Sequence, residues 1–174
     1  MDSHEQNPEN QFLGVMQQYL AYEGWDEDIA IAEDDDALIK TTLCFDGQTH
    51  PLYIEGLTSI QNFKVHLYSS FSVPPHRQDE IAILLNFINL RLFLGRFALR
   101  ISDEAAPIQF LSSFDMEEGE MSVKMIFNMV GAGVHALSCY RDSLAAVALT
   151  KTSAREAIKE FLLSEEAPPS ALLN

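Results

Sequence analysis

The sequence predicts an α+β fold: one antiparallel β-sheet, made of a meander plus a hairpin, packed against helices. Three observations predict it. Alternating apolar runs at Ile39–Phe45, Leu52–Ile54 and Phe63–Phe71 follow one another too closely for helical crossovers, so neighbouring strands must run antiparallel. Apolar runs of helical period precede, interrupt and follow them. Asp46-Gly47 supplies a hairpin turn between the first two long strands. The predicted order is α-β-β-β(β)-α-β-β-α, extended by a further C-terminal helix.

The elements follow in order. Pro8 and Asn10 precede a helix whose Phe12, Met16, Tyr19 and Leu20 share one face, with Gly24 at its C′ position. Ile29 and Ile31 then alternate with small or acidic residues, as an irregular edge strand would. Glu33-Asp34-Asp35-Asp36 reads as a solvated turn, because it lacks the glycine and spaced carboxylates of a calcium loop. Ile39, Thr41, Leu43 and Phe45 form one strand face, and Leu52 and Ile54 return towards Gly56. Phe63, Val65 and Leu67 face the opposite way from His66 and Tyr68.

Val73-Pro74-Pro75 ends that strand, since proline removes a ladder donor. A helix starting between His76 and Asp79 buries Ile81, Leu84, Leu85 and Ile88. After Asn89 the chain reverses through Gly95 into a strand with Phe97, Leu99 and Ile101. It turns at Asp103–Pro107 and returns through Ile108 and Phe110 towards Phe114. A long helix is expected from about Glu120 to Leu149, with Val123, Phe127, Val130, Val134, Leu137 and Tyr140 or Arg141 in period. Ser153 and Glu156 form a capping box for the last helix, whose stripe is Ala154, Ala157, Ile158, Phe161 and Leu162. The reading is a single domain over residues 10–163, with flexible acidic tails at 1–9 and 164–174.

Charge limits the partners. The 174 residues carry 26 Asp and Glu against 11 Lys and Arg, a net charge of −15. Phosphate backbones and anionic membranes need a concentrated basic face. Arg77, Arg91, Arg96 and Arg100 are diluted by Asp79, Glu80 and Asp103, so neither nucleic acid nor membrane is expected as a partner. A basic or amphipathic protein fits the charge. No apolar run approaches the ~18 residues of a membrane span. Met1–Asn10 lacks the pattern of a secretory signal. Cys44 and Cys139 stand far apart in apolar company and read as reduced thiols, with Cys139 a buried small hydrophobe, in a cytoplasmic protein.

No catalytic constellation emerges. The five histidines lack metal-ligand spacing, and His50 and His66 read as surface strand residues. Gly131-Ala132-Gly133-Val134-His135-Ala136 matches a dinucleotide-binding pattern. That motif, however, needs a preceding strand and a ribose-binding acid about 20 residues on. Met125–Val130 instead keeps helical period, so the glycines read as a close helix–sheet crossing. His135 and Cys139, four apart, share a helix face but lie far from a helix N-terminus. The expectation is therefore a non-enzyme with no catalytic residue, cofactor or metal. The alternative is a small-molecule sensor or enzyme with a pocket between sheet and helix, which a buried polar pair such as His66 and Arg100 converging in a concave pocket would favour.

The pair Gly24-Trp25 and the segment Asn86-Phe87-Ile88-Asn89-Leu90-Arg91-Leu92-Phe93-Leu94-Gly95-Arg96-Phe97 resemble the YbjN-like family, which carries the label of bacterial sensory transduction regulators. The resemblance spans Phe12 to Thr150. It implies a fold similar to type III secretion chaperones, in which helices cover an antiparallel sheet and two copies associate. Two features depart from that pattern: four strands precede the central helix where the chaperones have three, and the helix Ser153–Leu163 lies beyond the family core. The resemblance brings no catalytic residues. It implies a chaperone-like or regulatory protein-binding domain, homodimeric, with an unidentified protein partner.

Gly24, Trp25, Asn86, Asn89, Gly95, Arg96 and Phe97 are then a structural signature. Gly95 supplies a positive φ, and Asn89 caps backbone groups at the turn. Ile158, Phe161 and Leu162 are the candidates for partner contact, because their stripe must be covered by its own domain, a twin subunit or a partner.

Overall fold

A computed structural model describes residues 8–32, 36–116 and 121–166. Helix α1 (Pro8–Glu23) leads into β1 (Ile29–Ile31), β2 (Ala37–Phe45), β3 (Gln48–Leu57) and β4 (Asn62–Val73). Then come α2 (Gln78–Asn89), β5 (Arg96–Leu99), β6 (Ala106–Asp115), α3 (Val123–Leu149) and α4 (Ala154–Glu166). The strands form one six-stranded antiparallel sheet in the order β1-β2-β3-β4-β6-β5. The architecture is the predicted α+β one, with four strands ahead of α2. No described helix is long and apolar enough to cross a membrane.

Strand alternation sorts the two faces. Ile39, Leu52, Ile54, Phe63, Val65, Leu67, Ile108 and Phe110 are fully buried beneath the helices. Leu43, Phe45 and Leu99 are half-buried against the same core. Helix α3 packs over β4 and β6, α1 over the β1–β2 end, and α2 over β5. A Cβ on Gly133 would lie 2.9 Å from the Phe110 ring and 3.2 Å from Leu67, so α3 crosses the sheet closely there. Met125–Val130 is helical, which removes the strand a dinucleotide motif requires.

Local chemistry sets the element ends. Trp25 N–H bonds the Leu20 carbonyl at 3.0 Å and Gly24 N–H the Ala21 carbonyl at 3.3 Å, with Gly24 at φ +69°. This paired bonding closes α1 in a Schellman motif. Asp46 and Gly47 both take positive φ, as a two-residue hairpin turn demands. A bulge interrupts β4–β6 pairing between Tyr68 and Ser72. There the buried Ser69 hydroxyl accepts from Ile108 N–H at 2.9 Å and donates to the Phe71 carbonyl at 2.6 Å.

Several expectations change. Ile101 is exposed and outside β5, which ends at Leu99. The buried Gln78 amide binds Ser102 N–H at 2.9 Å and the Glu104 carbonyl at 2.7 Å, bending the chain out of the sheet. Asp36 is no free turn acid: its carboxylate accepts from Thr58 N–H at 2.8 Å. Its companions Glu33–Asp35 lie outside the described residues, as does Glu120, the predicted start of the long helix. Helix α1 starts at Pro8 and α4 runs on to Glu166, while 1–7 and 167–174 lie outside the described residues.

Candidate functional site

The segment from α2 to β5 organises one end of the molecule. The Asn89 side chain faces the outer edge of β5: Phe97 N–H donates to its Oδ1 at 2.7 Å, and its Nδ2 donates to the Phe97 carbonyl at 3.0 Å. The amide thus acts as one residue of a further strand. Gly95, at φ +75°, makes the reversal and lies against Phe110 and the Leu111 carbonyl, leaving no space for a Cβ. Phe97 is buried edge-on against Phe110 at 5.5 Å. Asn86 and Arg96 are exposed and take no part in this clamp.

The same turn pushes apolar side chains into solvent. Leu90 is 80% exposed and Phe93 wholly so, while Ile83, on the same side of α2 as Phe87 and Leu90, is half exposed. Arg91 covers the Phe87 ring at 4.4 Å. Phe87 in turn meets Phe161 of α4 at 6.1 Å. Beside that junction, Leu162 and Leu163 are exposed. Isolated exposed apolar residues are ordinary, but α2, the turn after it and the end of α4 each present large ones, which makes this end of the molecule the candidate interaction surface.

Helix α4 itself is seated on its own domain. Ala154 and Ala157 are buried, and Ile158 and Phe161 are half-buried, with Phe161 5.2 Å from Tyr140 of α3. Its first N–H, that of Ala154, donates to Glu80 of α2 at 2.6 Å. Arg77, just before α2, donates to the Val147 carbonyl at 2.7 Å and to the Thr152 carbonyl, tying the α3–α4 corner. The capping box forms as expected, with Ser153 N–H to Glu156 at 2.8 Å and Glu156 N–H to Ser153 Oγ at 3.3 Å. Those bonds from Ser153 hold the Glu156 carboxyl below its ordinary pKa.

At the opposite edge of the sheet, β1 has no strand on its outer side among the described residues. A groove of about 530 Å³ runs between it and α1, lined by Leu13, Leu20, Trp25 and Ile31 and rimmed by Asp26 and Asp28. Trp25 packs edge-on against Tyr19 at 5.6 Å. Burial raises the Tyr19 pKa, and the nearby Glu23 charge adds to this. The Tyr19 hydroxyl is buried and makes no hydrogen bond of good geometry among the described residues.

The sheet face turned away from the helices carries a polar network that the sequence did not reveal. His66 contacts Glu55 at 3.0 Å through Nε2, and its Nδ1 accepts from the Gln109 amide. Tyr68 stands edge-on to Tyr53 at 5.5 Å, and burial, then Tyr53 and Glu55, raise its pKa. The polar, aromatic positions of one strand parity, Tyr53, Glu55, His66 and Tyr68, were the available signal. His66 and Arg100 do not meet; Gln109 lies between them, bonded to one and lining a cavity with the other.

Two buried-versus-exposed expectations reverse. His50 is buried, not a surface residue: it stacks on Phe45 at 3.9 Å, and its Nδ1 pairs with the Tyr68 carbonyl at 3.0 Å. Cys139 is exposed, 3.5 Å from His135 Nε2 on the outer side of α3, and Cys44 is exposed as well. Among the described residues, no three His, Cys, Asp or Glu side chains group as metal ligands would.

Comparison with known proteins places this fold. The model of the YbjN family, described as "Putative bacterial sensory transduction regulator", matches residues 13–146, more than half of the chain. One similar solved structure is that of YbjN from E. coli, described as "a putative transcription regulator". It is 16% identical, with a TM-score of 0.53 over 73% of this chain and 86% of that one. A chain of the HopA1–SchA chaperone–effector complex is 11% identical, with a TM-score of 0.50 over 77% of this chain and 95% of that one. At such identities the likeness is one of fold. No curated protein matches.

Proposed function

We propose that this chain, which belongs to the YbjN family, is a non-enzymatic, chaperone-like or regulatory protein-binding domain that acts as a homodimer in the cytoplasm. The observation that carries this reading is the apolar surface at the α2–α4 junction, where Ile83, Leu90, Phe93, Leu162 and Leu163 are all exposed. The occupant proposed for it is a second copy, because the twofold homodimer is the commonest closed assembly of soluble proteins. The family label of a regulator and the fold of a chaperone–effector complex support binding to another protein. The net charge of −15 and the acidic rim of the α1–β1 groove favour a partner segment with basic and apolar side chains.

Light scattering on the full chain during dilution tests the assembly. The expected mass is twice 19.5 kDa. Phe93→Glu with Leu90→Glu should halve that mass while leaving the circular dichroism of the folded chain unchanged, because both side chains lie in solvent in the single chain. A wild-type mass of one chain at every concentration overturns the homodimer.

A further inference from the structure

On the uncovered face of the sheet, beside the β4–β6 bulge, lies a cavity of about 600 Å³. Tyr68 and Gln109 are paired neighbours across β4 and β6 and form its floor; Pro107, Arg100, Ser102 and Glu104 line the rest. Its size falls within the range of small-molecule pockets. Two separate networks hold its walls. From below, Glu55 fixes His66, and His66 accepts from the Gln109 amide nitrogen, which leaves the Gln109 carbonyl oxygen as a spare acceptor. From the other side, the buried Gln78 of α2 grips the backbone of Ser102 and Glu104. The Ser102 hydroxyl closes that loop by bonding Glu104 N–H and its carbonyl at 3.3 and 3.2 Å. Such support keeps a site in shape before a ligand arrives.

The two charged side chains of the cavity have opposite sign. Neither Arg100 nor Glu104 forms a side-chain hydrogen bond or ion pair among the described residues, with each other or with any neighbour. An arginine left free beside an aromatic wall suits a carboxylate. A free carboxylate and a spare amide oxygen suit an ammonium group. A ligand carrying both charges is neutral overall, so the net charge of −15 does not repel it.

We propose that this cavity binds a free α-amino acid with an apolar or aromatic side chain. Arg100 takes the carboxylate, Glu104 and Gln109 take the ammonium, and Tyr68 and Pro107 take the side chain. The site is independent of the apolar junction at α2 and α4, so it stands or falls apart from the homodimer.

Calorimetric titration of the full chain with L-phenylalanine, phenylacetate and phenethylamine tests it. L-Phenylalanine should saturate one site and bind more tightly than either single-charge analogue. Arg100→Gln should weaken L-phenylalanine and phenylacetate at least about tenfold, the scale of one charge-assisted hydrogen bond. Glu104→Gln should weaken L-phenylalanine and phenethylamine but leave phenylacetate as it was. Both variants should melt like the wild type, because neither side chain is bonded. No saturable binding of L-phenylalanine, equal affinity for all three probes, or an L-phenylalanine affinity untouched by both substitutions would each overturn the proposal.

Discussion

Asn89 holds Phe97 by both of its backbone groups, accepting from its N–H at 2.7 Å and donating to its carbonyl at 3.0 Å. The last residue of α2 thereby occupies the outer edge of β5. An unpaired edge strand is a template for unwanted pairing, and proteins block such edges. Here one amide does so while fixing the turn that exposes Phe93. The edge at β1 has no such block among the described residues.

Asn89→Ala should therefore cost about 2 kcal/mol, the scale of leaving two backbone groups unpaired at a partly buried site. Asn89→Asp should cost at least as much at neutral pH, because a carboxylate keeps the acceptor for Phe97 N–H but faces the Phe97 carbonyl. Its deficit should shrink in acid, where a protonated carboxyl regains a donor. Urea denaturation at pH 7 and pH 4 measures both. A change below about 0.5 kcal/mol for Asn89→Ala would show that water replaces the amide without loss.

Gly95 and Gly24 share a positive φ but differ in surroundings. A Cβ at Gly24 meets nothing within 4 Å, whereas one at Gly95 would overlap Phe110 and come 2.9 Å from the Leu111 carbonyl. Gly24→Ala should cost about 1 kcal/mol from backbone strain. Gly95→Ala should cost about 3 kcal/mol, since overpacking adds to that strain. Thermal melting of the two variants gives the comparison, and equal losses would mean that Phe110 yields easily.

These local features were legible because the residues that decide them are close in sequence. The Ser153–Glu156 box, the Asp46-Gly47 turn and the Asn89–Gly95 reversal each lie within eight residues. Strand alternation likewise gave the core face. The same parity contained His50, which falls in step with Leu52 and Ile54 and is buried with them. At this position strand parity outweighs the exposure usual for histidine. Cys139 is the converse: it sits two residues from Leu137 and one from Tyr140, both buried, but helical period turns it outward. The Arg77 and Glu80 bonds to the α3–α4 corner span 70 to 75 residues, and no local pattern encodes them. The same holds for the outer-face network, whose His66–Gln109 contact needs the β4–β6 register.

Tyr19 sets an alkaline limit on stability. Its folded pKa lies above the ordinary tyrosine value of about 10. The folded state therefore retains a proton that the unfolded chain releases. This contribution is complete below about pH 10 and is lost as pH rises beyond it. Tyr19→Phe should raise the urea midpoint slightly at pH 7, because it removes a hydroxyl that is buried without a hydrogen bond. Between pH 10 and 11 the variant should be the more stable protein. Tyr68, shifted the same way, should keep some alkaline loss in the variant. Parallel midpoint curves for the two proteins across this range would show that Tyr19 does not titrate with unfolding.

The last prediction separates the two ends of α4. A thirteen-residue helix is marginal alone in water, so its order depends on what it docks against. Ala154 and Ala157 are buried, Phe161 lies between Phe87 and Tyr140, and Glu80 caps its first turn. Truncation after Thr152 removes all of these and uncovers Phe87 and Tyr140, so it should lower the melting temperature and raise binding of a hydrophobic dye. Phe161→Ala should reproduce part of this, about 2 kcal/mol for a half-buried phenylalanine. Glu80→Gln keeps an acceptor for Ala154 N–H but loses the charge at the helix N-terminus, and should cost under about 1 kcal/mol. Truncation after Leu163 spares every one of these contacts and should leave melting unchanged. Dimer mass measured on the same proteins then tells docking from assembly: Phe161→Ala should lower the melting temperature of a protein that still pairs. If truncation after Thr152 changes neither melting nor dye binding, α4 contributes nothing to the domain on which it sits.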